Sequence, residues 1–376
     1  MMRLYRRVLL VLMLVGSLAL AACGGTQAAD DGSVPIGTPV LEAPEKATKT
    51  DRLEEKNLSS QQVAPSGATP VSGLPGGALP VPSGAMPDPL PSATPVHGRP
   101  AAIWEPLLQR LAADGISGPQ VTALFAALPA EATQSPMGRK MKELYRRRFL
   151  PAPPPSGKPR QQYYKGVVTE ANARTCADFI KENAAAFDEA QRRYGVPRHV
   201  AVALLFVETR LGRVLGDVKE NAFYTLASMA VSRDPDDIRQ WLPQLPGYEK
   251  HLGWLKETMP QRADWAYKET RALVEHMLRD QVPAEHLPGS IYGAVGLCQF
   301  MPSNITTYGA DGDGDGRVDL FTIPDAVASL SCYLYKHGWR AGIDRKRQHA
   351  LLMRYNKSTV YANTILALGD LVAKQL

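Results

Sequence analysis

Apolar side chains fill the run from Val200 to Val207, and a single carboxylate, Glu208, stands at its end. Val200, Ala201, Ala203, Leu204, Leu205 and Val207 leave no polar face of useful width, and a helix that is apolar all round is a buried one. Pro197 suits a first helical turn, because its missing N–H is one of the unpaired donors there, and Gly212 supplies a stop. The pattern predicts a buried helix over Pro197–Leu211 that carries Glu208 inward in its last turn. Burial and the negative end of the helix dipole both disfavour the ionised carboxylate, which raises its pKa toward the range a general acid needs near neutral pH. On this local pattern the alternative is a satisfied ion pair of Glu208 with Arg210 or Arg213 at a helix end.

Helical spacing recurs along the chain. Trp104, Leu107, Leu108 and Leu111 share one face, and further helices are predicted over Gln120–Leu128, Met137–Phe149, Ala222–Val231, Trp265–Asp280 and Ala326–Tyr335. Pro151–Pro159 breaks the chain. Thr169–Tyr194 reads as one long amphipathic helix with Phe179, Ile180, Ala184 and Phe187 inward and Lys181, Glu182 and Arg192 outward. Strand signals are sparse. Residues 101–376 thus read as a mainly α (α+β) body in two lobes, large enough for a substantial core.

Before that body the pattern changes twice. Arg3, Arg6 and Arg7 precede an apolar or small stretch from Val8 to Ala22, the pattern of a secretory signal rather than a full membrane span. It ends in Leu20-Ala21-Ala22-Cys23, which resembles the bacterial lipobox. The resemblance implies removal of residues 1–22, lipidation of Cys23, and a protein held on a membrane facing the periplasm; Gly24 in the next position favours the outer membrane. From Gly24 to Pro100 there is no Phe, Trp or Tyr, and Pro, Gly, Ala and Ser dominate, so residues 23–100 are expected to be a disordered tether with a charged, weakly helical island at Asp51–Gln62. A flexible coil of that length averages on the order of 50 Å end to end.

Charge narrows the partners only a little. The chain has 43 Lys and Arg against 37 Asp and Glu, and removing the three arginines of the signal leaves 40 against 37. No basic stripe stands out beyond Arg146–Arg148, so nucleic acid is not an expected partner. Cys176, Cys298 and Cys332 have no metal-type spacing, and an exported chain allows one pair among them to form a disulfide.

The stretch Ser290-Ile291-Tyr292-Gly293-Ala294-Val295-Gly296-Leu297-Cys298-Gln299-Phe300-Met301-Pro302-Ser303 has the small residues of a tight backbone lining a cleft. Together with Glu208-Thr209-Arg210-Leu211-Gly212-Arg213-Val214-Leu215-Gly216, with Arg354-Tyr355-Asn356-Lys357-Ser358 and Val360-Tyr361, and with Tyr333 before Lys336-His337-Gly338-Trp339, it resembles the membrane-bound lytic murein transglycosylase B family. That resemblance implies a lysozyme-like fold with a glycan groove. It makes Glu208 the single catalytic acid/base and Ser290, Gln299, Tyr333, Tyr355, Asn356 and Tyr361 substrate-contacting positions, although for Tyr333 core packing is the alternative. Tyrosines suit sugars because the ring covers an apolar face while the hydroxyl remains available. Cys298 departs from the family, which often has glycine there, and the stretch from Asp234 to Pro288 matches poorly.

Asp311-Gly312-Asp313-Gly314-Asp315-Gly316-Arg317 reproduces the first half of an EF-hand loop, with oxygen side chains at alternate positions and glycine at the sixth. The twelfth position is Thr322 rather than Glu, and Asp325 is the next carboxylate. The expectation is a structural Ca²⁺ held by Asp311, Asp313, Asp315, Asp325 and the Arg317 carbonyl, with no cofactor for catalysis; the alternative is an acidic turn without metal. The resemblance implies cleavage between N-acetylmuramic acid and N-acetylglucosamine in peptidoglycan strands without water, giving 1,6-anhydromuramoyl ends, with other wall enzymes as further partners. A hydrolytic muramidase and a non-catalytic peptidoglycan-binding lipoprotein are the alternatives.

Overall fold

The computed structural model describes residues 98–151, 161–215, 221–284 and 287–376. The signal, Cys23, the tether with its charged island, and Gly216 lie outside the described residues. A 3₁₀ turn at Ala102–Trp104 leads into α1 (Glu105–Ala113), followed by α2 (Pro119–Ala126) and α3 (Ser135–Phe149). Trp104 is fully buried and its indole N–H donates to Pro129 O at 2.9 Å. The buried face of α3 carries Met137, Met141 and Tyr145, while Arg146, Arg147 and Arg148 sit in its last turn, where cations oppose the helix dipole.

The expected long helix over Thr169–Tyr194 is two helices, α4 (Glu170–Glu182) and α5 (Ala184–Tyr194). Thr169 caps the first by accepting from Asn172 N at 3.1 Å. The break is at Asn183 (φ −122°, ψ 33°), whose side-chain amide donates to Phe179 O at 2.9 Å. An Asn that bonds the backbone offers the chain an alternative to the helix ladder, and periodicity does not register it. Next come α6 (Arg198–Thr209), α7 (Ala222–Val231) and α8 (Leu252–Asp280). Helix α8 begins at Leu252 rather than Trp265 and contains Pro260, which reads in sequence as a break but is carried inside the helix. The remaining helices are α9 (Pro302–Tyr308), α10 (Ile323–Lys336), α11 (Arg345–Tyr355) and α12 (Thr359–Ala373).

Every residue of α6 from Val200 to Thr209 is buried, as the absence of a polar face requires. It packs against α12, α4, α10 and α5. A second set of helices forms around α7, against α8, α3 and α1, and α9 touches both α8 and α10. The two sets therefore meet at α9 and the loop before it. Strand pairing among the described residues is limited to isolated antiparallel bridges, Asn221 with Pro288, Gly289 with Val295 and Val295 with Phe300, which fold that loop on itself.

Candidate active site

Helix α6 ends abruptly after Glu208 and Thr209. Arg210 (φ 53°), Leu211 (φ 60°) and Gly212 (φ 84°) are consecutive left-handed residues. For a non-glycine residue that conformation is costly and persists only where the surroundings impose it. Thr209 is the device that imposes it, because its hydroxyl donates to Leu297 O at 2.9 Å and accepts from Gly212 N at 3.1 Å. The end of α6 is thereby tied to the loop preceding α9.

That loop turns at Gly296 (φ 77°), where an added Cβ would lie 2.3 Å from Leu320 Cβ, so only glycine fits. Gln299 is also left-handed (φ 50°), and its amide donates to Gly296 O at 3.0 Å. Cys298, the departure from the family pattern, is fully buried and outside the left-handed region, so its side chain is accommodated without backbone strain. Burial pushes its thiol pKa up. Cys176, Cys298 and Cys332 are all free thiols, so the disulfide the sequence allowed does not form among them.

A pocket beside Glu208 is lined by Gln299, Phe300, Met301, Asn304, Tyr333, Tyr355 and Asn356. Glu208 is 5% exposed and accepts a hydrogen bond from Tyr361 OH at 2.5 Å. Loss of hydration raises its pKa to about 8, against the smaller lowering effect of the Tyr361 hydroxyl. The carboxyl is therefore protonated at neutral pH, as the apolar run implied. The ion pair weighed as an alternative does not form, since Arg210 lies over the Phe206 ring at 4.6 Å and Glu208 bonds Tyr361.

The tyrosines form one wall. Tyr355 lies 4.9 Å from Tyr333, edge to face, and is stacked at 6.4 Å on Tyr361. Tyr355 OH donates to Cys298 O at 2.6 Å and Tyr333 OH to Arg354 O at 2.8 Å, so both rings are fixed before any ligand arrives. Tyr333 is 8% exposed, as core packing requires, and also lines the pocket.

Ser290 behaves differently from the other expected contacts. Its hydroxyl accepts from Tyr292 N at 3.3 Å and Ala294 N at 3.1 Å, it is buried, and it does not line this pocket; it shapes the turn of the loop. Three residues not singled out in the sequence join the site. Phe300 and Met301 lie within the quoted loop, where a packing role was the natural reading, and Asn304 lies one residue past it. Tyr164, before α4, bonds Ser358, and burial foremost raises its pKa to about 12, with the charge of Glu208 adding to the rise. The sequence offers no signal for that contact.

In the acidic loop Asp311, Asp313 and Asp315 each place a carboxylate oxygen within 4.8 Å of the others. Gly316, at the sixth position, has φ 87°. Asp325 stands apart from that trio and accepts from Gly312 N at 2.7 Å and Asp319 N at 2.6 Å. Its pKa is raised to about 6 by burial first, with Asp313 and Asp311 adding repulsion. The three carboxylates also accept from the loop amides of Gly314, Asp315, Gly316 and Arg317, and an all-oxygen donor set of this kind fits a hard dication such as Ca²⁺. Each oxygen of Asp325 retains acceptor capacity beyond its amide bond.

A family model described as "Transglycosylase SLT domain" matches residues 100–348. Membrane-bound lytic murein transglycosylase B of Escherichia coli is 30% identical over 181 residues, which are 48% of this chain and 42% of that protein, so the match spans less than half the relative's length. Among solved structures, SltB3 of Pseudomonas aeruginosa in complex with NAG-anhNAM-pentapeptide is similar at a TM-score of 0.54 and 20% identity, covering 72% of this chain and 78% of that one. The Escherichia coli lytic transglycosylase Slt35 in complex with calcium is similar at 0.52 and 19% identity, covering 76% and 99%. These structural likenesses establish the mainly helical, lysozyme-like fold.

Proposed function

The chain belongs to the Transglycosylase SLT domain family, and from that premise we propose that it is a lytic transglycosylase acting on the glycan strands of peptidoglycan. Glu208, protonated at neutral pH, donates its proton to the oxygen between N-acetylmuramic acid and N-acetylglucosamine as that bond breaks, and positive charge develops at the muramic C1. The carboxylate so formed takes the proton of the muramic C6 hydroxyl as its oxygen bonds to C1. The product is a 1,6-anhydro sugar, no water is consumed, and Glu208 regains its proton.

The observation that carries this reading is that, among the described residues, the pocket holds one acid. Glycosidases that hydrolyse usually need a second carboxylate at about 5–9.5 Å, for a covalent intermediate or for water, and among the described residues Glu208 is the only acidic side chain lining the pocket. In this reading Gln299, Tyr333, Tyr355 and Asn356, which line the pocket, contact sugar, and Tyr361, which bonds Glu208, orients the acid. The test is digestion of purified sacculi followed by mass spectrometry of the released muropeptides. Wild type should yield anhydro ends, and Glu208→Gln should lose about 10²–10⁴ of turnover or more while remaining folded. Reducing ends would instead establish a hydrolytic muramidase, and release by Glu208→Gln at the wild-type rate would remove Glu208 from the mechanism.

The acidic loop is proposed as a structural Ca²⁺ site with Asp311, Asp313, Asp315, Asp325 and the Arg317 carbonyl as ligands; Ca²⁺ there supplies loop rigidity. No described helix is long and apolar enough to cross a membrane. From the Leu20-Ala21-Ala22-Cys23 motif, attachment is assigned to a lipid on Cys23, with the catalytic body in the periplasm, on the outer membrane, within reach of other wall enzymes. Cys23→Ala should move the protein from the membrane fraction to the soluble or unprocessed one, and unchanged retention would overturn the anchor.

A further inference from the structure

A second, broader cleft opens between α1, α8 and α9, outside the site described above. Helix α9 is the partition between the two. Asn304 lines the pocket beside Glu208, whereas Thr306 and Thr307 line the cleft. A helix with its side chains is about 10–12 Å across, so that is the scale of separation between a sugar held by Glu208 and the cleft.

Most polar groups of the cleft are already committed. Arg110 bonds Asp264 at 3.0 Å and lies 3.6 Å over the Tyr267 ring. Arg271 spans Asp114 at 3.3 Å and Glu275 at 3.1 Å. These contacts stiffen the walls and also close the Tyr267 face, so the ring cannot serve as a platform for a sugar. Lys268 is the exception: it is exposed and has no hydrogen-bond or ion-pair partner among the described residues. The hydroxyl of Thr306, on the α9 wall, has none either. The cleft thus offers an uncommitted cation and a hydroxyl but no open aromatic face, and that combination selects a carboxylate over a sugar ring.

We propose that this cleft receives the acidic peptide stem carried by the muramic sugar, with a stem carboxylate on Lys268 and Thr306. The inference rests on the peptidoglycan reading of Glu208. A stem of three to five residues reaches about 10–17 Å when extended, enough to cross α9 from a sugar seated in the pocket.

The test titrates full-length Glu208→Gln with two probes, the N-acetylglucosaminyl-N-acetylmuramyl disaccharide bearing a pentapeptide and the same disaccharide without peptide. The peptide-bearing probe should bind about tenfold tighter, as one charge-assisted hydrogen bond provides, and the advantage should shrink with added salt. Lys268→Glu in the same background should bring the ratio of the two affinities to about one. Ala113→Trp, which adds bulk at an exposed position of α1 lining the cleft and leaves Lys268 in place, should do the same. Equal affinities before any cleft substitution, or an advantage that survives both substitutions, overturns the inference. If wild type releases no muropeptides from sacculi and neither probe binds, the peptidoglycan reading itself has failed. If sacculi are cleaved and only the peptide advantage is missing, the stem site alone has failed.

Discussion

Glu208 shows which of two opposed effects wins at a buried acid. Loss of hydration raises its pKa, the Tyr361 hydroxyl lowers it, and the net result is a value of about 8. The unfolded chain ionises this side chain near 4.5, so between about 4.5 and about 8 the folded state holds a proton that the unfolded state has released. Stability then falls as pH rises through that window and levels off above it. Glu208→Gln abolishes this dependence, so the variant should be more stable than wild type by a margin that grows from pH 5 to pH 8 and then stays constant. Melting midpoints of both proteins across that range check it, and a margin independent of pH would mean that Glu208 is ionised in the fold. The raised pKa was legible in the apolar run before Glu208. The hydrogen bond from Tyr361, 153 positions away, was not, because only the folded chain brings the two side chains together. Asn304 and Tyr164 were illegible for the same reason.

At the scale of elements, the buried helix was readable because every position from Val200 to Val207 is apolar, and the structure shortens its expected span only slightly, to Arg198–Thr209. The helices over 169–194 and 252–280 were misread for local reasons, an Asn whose amide bonds the Phe179 carbonyl four residues back and a Pro tolerated inside a long helix. What the pattern could not give is how elements join, and Thr209 makes the join that matters most. It is fully buried and serves Leu297 O and Gly212 N together. Thr209→Val keeps the shape and removes both bonds, leaving two backbone groups unserved, so it should cost about 2–4 kcal/mol of stability. It should also lower turnover, because the loop it releases carries Gln299 and Phe300 into the pocket. Thr209→Ser should restore most of both. Urea unfolding and sacculus digestion on the three proteins decide the matter, and a Val variant indistinguishable from wild type would show that the left-handed turn after α6 is held by other contacts.

For the whole molecule, the acidic loop is the seam between the two sets of helices. Val318 N donates to Asp280 Oδ1 at 3.3 Å at the end of α8, and Asp280 is itself held by His276 at 2.6 Å and Arg279 at 3.0 Å. On the other side Leu297 N donates to Leu320 O at 2.8 Å, so the loop also touches the segment that lines the pocket beside Glu208. Asp311, Asp313 and Asp315 bring three carboxylates together at this seam, where backbone amides of the loop already bond them, and a cation among them would add further attraction. An ion bound only by the folded state raises stability with its concentration. The melting temperature should therefore climb as Ca²⁺ is added to chelator-treated protein, and Asp313→Ala should flatten the response. None of the loop's residues lines the pocket beside Glu208, so metal-free protein held below its lowered midpoint should still release anhydro ends. A melting temperature indifferent to Ca²⁺ would reduce the loop to an acidic turn, whereas loss of all turnover in protein that remains folded without metal would mean that the seam governs the pocket as well as the stability of the fold.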